Sequence, residues 1–284
     1  MSLDALLNKV ATQGKDQSVA TSGGGDYTPP EAGQTGARIV AYYEVGQHEG
    51  EYKGEKKINN EVIIIFELIG KKHPPKELED GTKVPVRLSL LMNLSTNEKA
   101  GYFKMFSRLR TEERHFVQLL GSAVLLNVVH RDAGEGDKKR VYANIDKESV
   151  RKPIIQVPDM EDGAVVGVKD QPFPVGAALT PLKAFVWEFA DAEMWDSIFI
   201  EGEYPERKDE KTRKVIAAAK SKNSIQLKIA SALNFKGLPC YDYAASKLVG
   251  GTVTREGVDA LDEVVGDVTP SGPRDADDPL DGIA

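Results

Sequence analysis

Polar and apolar residues alternate along much of the chain between Gly36 and Val150, and the period of that alternation changes part-way. GARIVAYYEVG (36–46) is a period-2 run rich in β-branched and aromatic residues, the pattern of a strand. QHEGEYKGEKK (47–57) is charged and punctuated by glycine, so it reads as a hairpin loop. INNEVIIIFELIG (58–70) is the longest β signal in the chain. A loop rich in Lys, Pro and Glu (71–83) leads to a third strand, VPVRLSLLMNLS (84–95). Over 97–110 the period lengthens: Tyr102, Met105, Phe106 and Leu109 recur at i, i+3, i+4, i+7 and predict an amphipathic helix. SAVLLNVVHRD (122–132) and RVYANIDKESV (140–150) then predict a second hairpin across the turn AGEGDKK. Within these elements Phe66, Phe103 and Phe106 are candidate core residues. Tyr42 and Tyr43, adjacent on a strand, point to opposite faces.

Three strands, a helix and two more strands is the order of the OB-fold, a small, partly open Greek-key barrel. The expected class is mainly β (α+β): an OB-fold-like five-stranded barrel with a helix between strands 3 and 4, a C-terminal helical extension and disordered tails. An open α+β sheet is the alternative. The expected division is a flexible N-terminal arm (1–35), an OB-fold-like nucleic-acid-binding domain (36–152), an extension packed on the barrel (153–250) and an acidic disordered tail (251–284). The arm places Leu3, Leu6, Leu7 and Val10 at helical spacing before TSGGGDYTPPEAGQT, a linker composition. In the extension, 152–181 reads as a Pro- and Gly-rich strap and LKAFVWEF (182–189) as an added strand. Asp191 reads as the N-cap of a helix over DAEMWDSIF, and VIAAAKSKNSIQLKIASALNF as a helix ended by Gly237. Trp187 and Trp195 are expected to pin this segment down.

Charge changes the picture of what such a barrel would hold. The net charge is −7, but Thr252 to Ala284 carries nine acids and two bases, so the remaining 251 residues balance at 35 of each. Arg38 to Pro158 holds 21 bases and 17 acids, or +4. A mildly basic body with an acidic tail is compatible with a nucleic-acid partner. Cys240 is the single cysteine and the four histidines are scattered, so neither a disulfide frame nor a metal site is expected. The start, MSLDALLNKV, lacks the basic n-region of a signal peptide, and no run approaches the roughly 18 apolar residues of a membrane span. A cytoplasmic protein without cofactor, metal or membrane is the expectation.

The run GARIVAYYEVGQHEGEYKGEKKINNEVIIIFEL, with LLGSAVLLNVVHRD and RVYANI, resembles bacteriophage single-stranded-DNA-binding proteins of the OB-fold type. The likeness covers about residues 36–155, with a fainter echo at FADAEMWDSIF. The ending resembles the acidic tails with which bacterial and phage single-strand-binding proteins recruit partners. Those bacterial tails end in an aromatic residue, whereas this chain ends Gly282-Ile283-Ala284, and the charged segment 201–215 has no counterpart in the resemblance. The resemblance implies non-sequence-specific coating of single-stranded DNA in replication or recombination, in the cytoplasm of an infected host cell. It also implies recruitment of replication or recombination proteins and some self-association. The alternative is a phage structural or host-interaction protein that uses the barrel as a scaffold.

Single strands are held by cations that track phosphates and by aromatic faces on which bases stack. The residues of those types on the face and loops an OB barrel uses are Tyr52, Lys53, Lys56 and Lys57 in the first hairpin and Arg87 on the third strand. Lys104 and Arg108 on the helix join them, as do Arg131, Lys138, Lys139, Arg140 and Tyr142 in the second hairpin. Each also has a plainer reading as a solvated surface residue. In the tail, Asp275, Asp277, Asp278 and Asp281 make a short polyanion that could lie in an empty basic groove, and Leu280 and Ile283 supply an apolar anchor for a partner. A plain solubility tail is the alternative. No GxxxxGK phosphate loop and no nucleophile elbow is present, and the densest Asp cluster sits in the tail, so an enzyme is not expected.

Overall fold

The structure, a computed structural model, describes residues 28–52, 54–78, 80–133, 140–204, 206–208 and 215–248. The expected N-terminal arm, Lys53, Lys138, Lys139 and the acidic tail with Asp275, Asp277, Asp278, Leu280, Asp281 and Ile283 lie outside the described residues, as do the side chains of Tyr52 and Arg140.

Along the chain come β1 (Gly33–Tyr52), β2 (Glu55–Ile69), a small pair β3 (Lys76–Glu77) and β4 (Lys83–Val84), and β5 (Arg87–Asn93). Then follow α1 (Gly101–Leu109), a 3-10 turn (Phe116–Leu119), β6 (Ala123–Ala133) and β7 (Arg140–Arg151). The five long strands form one antiparallel ladder in the order β5-β2-β1-β6-β7. The two outer strands, β5 and β7, approach to Cα separations within 8 Å, yet no ladder joins them among the described residues. The protein is mainly β, built on a curled antiparallel sheet with an unpaired seam.

β2 explains why the sheet is covered twice. Val62, Ile64, Phe66 and Leu68 face one core while Ile63 and Ile65 face another, so the five-residue apolar run VIIIF is a strand buried on both faces. β1 reaches the same result through a register shift between Ile39 and Ala41. The extra residue reverses the parity: Ala37 and Ile39 face the first core, but after the shift Ala41, Tyr43 and Val45 face the second while Tyr42 stays with the first. The adjacent tyrosines thus enter different cores.

α1 closes the first core with Tyr102, Met105 and Leu109. Phe116 of the 3-10 turn stacks on Tyr42 at 5.6 Å between ring centroids and meets Tyr102 and Phe106 at 5.8 and 5.9 Å. Phe66 is fully buried, Phe106 packs against the core, and Phe103 is half-buried at its margin. Side chains of the Phe66 and Phe116 type each contribute about 1.5–3 kcal/mol when removed from water.

The second core is made by the rest of the chain. After β7 come β8 (Ile154–Glu161), β9 (Ala164–Pro172) and β10 (Lys183–Phe185), a 3-10 turn (Trp187–Phe189), and α2 (Ala192–Ser197). β11 (Glu203–Tyr204), β12 (Arg207–Lys208), β13 (Val215–Ala217), β14 (Lys220–Ser221), α3 (Ser224–Ala230), a 3-10 turn (Phe235–Gly237) and α4 (Tyr241–Leu248) follow. β10 adds to β1 in parallel, pairing Ala41, Tyr42 and Tyr43 with Lys183, Ala184 and Phe185. Phe185, Trp195, Ile198, Ile225, Ile229 and Leu238 then pack on Tyr43, Val45 and Ile63. Asp191 caps α2, accepting from Met194 N–H at 2.7 Å.

Four sequence expectations change. The supposed loop 47–57 is mostly ladder: β1 and β2 stay paired as far as Tyr52 and Glu55, turning through Gly54 at φ +84°. The loop 71–83 holds the small β3–β4 ladder. The strap begins only after Pro172, because 154–172 is a β-hairpin whose turn, Asp162-Gly163, takes positive φ at both residues, as a two-residue hairpin requires. The long helix proposed from Val215 shrinks to Ser224–Ala230, since β11 and β12 supply antiparallel partners to β14 and β13. The start of that helix is fixed by a polar network. Asn223 accepts from Ile200 N–H and donates to Gln226, and Gln226 donates to the Trp195 carbonyl.

Candidate nucleic-acid interface

The register places the two hairpins that carry most of the expected contacts. β6 runs alongside β1 only from Arg38 back to Gly33, then continues past the start of β1 toward its turn. The β1–β2 turn lies at the far end of β1, nineteen residues on. At about 3.3 Å per residue that is roughly 60 Å of strand contour, so the two hairpins bracket a long path and do not share one groove.

In the second hairpin, Arg131 and Tyr142 are direct cross-strand partners, followed by Val129 opposite Asn144. Val128 and Ile145, one position on, face the first core, so alternation sends Arg131, Tyr142 and Val129 to the outer face. Arg131 is exposed, Tyr142 half-buried and Val129 about 41% exposed. A cation, an aromatic ring and an apolar patch are therefore side by side on an accessible surface. Residues 131–142 carry Arg131, Lys138, Lys139 and Arg140 against Asp132, Glu135 and Asp137, a net +1.

The first hairpin is electrostatically weaker. Lys56 lies directly opposite Glu51, and Tyr52 opposite Glu55. Across 47–57, Lys53, Lys56 and Lys57 are matched by Glu49, Glu51 and Glu55, so the ribbon is neutral. Lys56 and Lys57, being adjacent on a strand, also leave on opposite faces.

The helix residues part company. Lys104 is exposed on α1. Arg108 is committed to the fold: its Nε donates to the Val150 carbonyl at 3.1 Å, one terminal nitrogen to the Lys147 carbonyl at 3.0 Å and the other to Glu148 at 3.3 Å. Those bonds tie α1 to β7 across the seam. Arg87 is exposed and opposite Glu67, on the face of β5 that looks toward the second core. It lies near enough to Tyr43 to draw down a hydroxyl that burial pushes up to about 12.

The outer face of β1, β2 and β5, where an OB barrel holds oligonucleotides, is not open. The extension covers it, and buried polar groups fix the cover in place. Arg38 donates to the carbonyls of Gly176 at 2.6 Å, Val175 at 2.8 Å and Gly121 at 2.7 Å. Glu67 accepts from the backbone of Leu179 and Thr180 at 2.7 and 2.8 Å. At the other end Glu61, 2% exposed, meets Lys228 of α3 at 3.2 Å. Glu44 accepts from Tyr42 at 3.0 Å and from Trp187 N–H at 2.9 Å. The sequence reading missed this cover because it rests on charged strand residues whose partners are backbone groups more than a hundred positions away.

Among the described residues no helix is long and apolar enough to cross a membrane. No family model, curated protein or solved structure matches the chain.

Proposed function

We propose that the protein binds single-stranded DNA without sequence specificity, as a phage replication or recombination protein working in the cytoplasm of the infected host and recruiting partners through its acidic tail. The observation that carries this reading is the Arg131–Tyr142 pair on the open outer face of the β6–β7 hairpin. A guanidinium beside an exposed ring face suits a phosphate and its stacked base. The strand order supports it as well, since β5-β2-β1-β6-β7 is what a five-stranded OB barrel gives when parted between its third and fifth strands, and the β5–β7 seam is where such a barrel would close. Because the face of β1, β2 and β5 is covered, the strand would run over the β6–β7 ribbon and toward the mouth of the β2–β5 end.

Fluorescence anisotropy with labelled oligo-dT and a matched duplex tests the proposal. Affinity for oligo-dT should exceed that for duplex and fall with salt by a log–log slope of about −0.7 per phosphate neutralised. Tyr142→Ala should weaken binding by about 1–3 kcal/mol if a base stacks there. Equal duplex binding, or none to either at low salt, sinks it. A second reading, a structural or host-interaction protein, is favoured by the β8–β9 hairpin, where Val165, Val166 and Val168 are each more than half exposed. That reading predicts no retention on single-stranded DNA at all.

A further inference from the structure

A cavity of about 250 Å³ opens where β2 runs into the turn at Gly70, beneath the strap. Pro75, Pro85 and Leu179 give it flat, apolar walls, and its polar lining residues are Glu67, His73 and Lys83. Glu67 offers little to a ligand, because its two oxygens already take the Leu179 and Thr180 N–H groups. His73 differs. It is 3% exposed, and its Nε2, shut off from solvent, has no hydrogen-bond partner. Nearly all buried polar atoms in folded proteins are paired, so an orphan ring nitrogen in the lining of a cavity asks for an occupant. At the mouth, Lys83 is exposed, and exposed Lys71 and Lys76 flank the lining residues Gly70 and Pro75 in sequence. Lys72 is taken by Glu31 at 2.6 Å. Arg87, opposite Glu67 on β5, adds a further exposed cation two residues beyond Pro85.

We propose that this cavity receives the base of a nucleotide, with His73 Nε2 meeting a polar atom on the ring edge and Lys83 meeting the phosphate. A bare inorganic anion would leave the proline and leucine walls unfilled. A purely apolar ligand would leave Nε2 unpaired. A planar heterocycle bearing a phosphate satisfies all three features, and the volume, just below the roughly 300–1,000 Å³ of drug-sized pockets, suits a single nucleotide. The proposal rests on the single-strand reading, in which the cavity would hold one base of the bound strand, beside Arg87.

The test is NMR of the histidine ring resonances of the full-length protein, titrated separately with deoxyadenosine monophosphate, deoxycytidine monophosphate and inorganic phosphate. His73→Leu assigns the signal. The nucleotides should shift the His73 ring saturably and phosphate alone should not. Lys83→Glu, an exposed substitution that does not threaten folding, should weaken nucleotide binding about tenfold through loss of a charge-assisted contact. An unmoved His73 ring, or unchanged affinity in Lys83→Glu, overturns the proposal. Oligo-dT run in parallel separates the two readings. If it binds while neither it nor the nucleotides move His73, the pocket alone fails. If it never binds while nucleotides shift His73, the single-strand reading fails and the pocket stands.

Discussion

At the residue scale, two positions carry consequences out of proportion to their size. Gly46 sits at φ +89°, and a Cβ there would lie 2.5 Å from Trp187 Cζ3 and 2.6 Å from Ala232 Cβ. It is the point at which the extension presses on β1. Gly46→Ala must both strain the backbone and push Trp187 outward, for a cost on the order of 3 kcal/mol. A lower melting temperature with a red shift of tryptophan emission checks this; an unchanged melt would mean the extension does not bear on β1. His73 has the opposite character, hidden in its effect until the pH falls. Burial lowers its pKa below 6.5, with Glu31 opposing and Lys72 adding to the shift. The unfolded chain then binds a proton near pH 6.5 that the folded chain refuses, so this contribution is fully present above about 6.5 and is lost as pH falls toward the lower folded value. Urea midpoints of the native protein should drop between pH 7 and 5, and His73→Leu should flatten that part of the slope. An equal slope in both proteins would assign the effect to other groups.

Elements were legible in the sequence where their signal was local. The period-2 runs of β1, β2, β6 and β7 and the 3.6 period of α1 stand out because each is set by burial of its own side chains. The β8–β9 hairpin was legible too, since Asp162-Gly163 between VPDME and AVVGV is a two-residue turn signal, but the prolines around it suggested a strap. What no local pattern could show was which charged strand residues look inward. Glu61 sits in a row that alternates with Ile63 and Ile65 into the second core, and only Lys228 of α3 makes its burial tolerable. Removing one member of such a pair leaves an uncompensated buried charge, at a cost of about 3–5 kcal/mol, whereas replacing both by apolar residues is often neutral. Lys228→Met should therefore destabilise strongly, and Lys228→Met with Glu61→Leu should recover most of the loss in chemical denaturation. A double variant no better than the single one would show that the pair does not act as a unit. The candidate contacts divide in the same way. The Arg131–Tyr142 pairing follows from hairpin register, while the use of Arg108 to bind β7 carbonyls depends on where α1 docks.

For the whole molecule, the layers set what is left for a ligand. One core lies under α1 and the other under the extension, so the open surfaces are the distal β6–β7 hairpin, the β1–β2 ribbon and the mouth beside Lys83. These are only mildly basic, and that makes the acidic C-terminal sequence a serious electrostatic competitor. Deleting residues 268–284 removes Asp275, Asp277, Asp278 and Asp281 together with Arg274, four acids and one base, and moves the net charge from −7 to −4. Charges that compete with DNA through the solvent act over a Debye length of about 10 Å at 0.1 M salt. The truncated protein should bind oligo-dT more tightly than the full chain at low salt, and the two curves should converge as salt rises. Because every residue of both cores lies before 249, melting should be unchanged. Leu280→Ala with Ile283→Ala leaves the charge intact, so it should preserve DNA affinity while losing any replication or recombination protein recovered with the full chain. If truncation changes neither affinity at any salt nor the proteins recovered, the aspartates serve solubility alone, and the single-strand reading must then rest on Arg131 and Tyr142 without them.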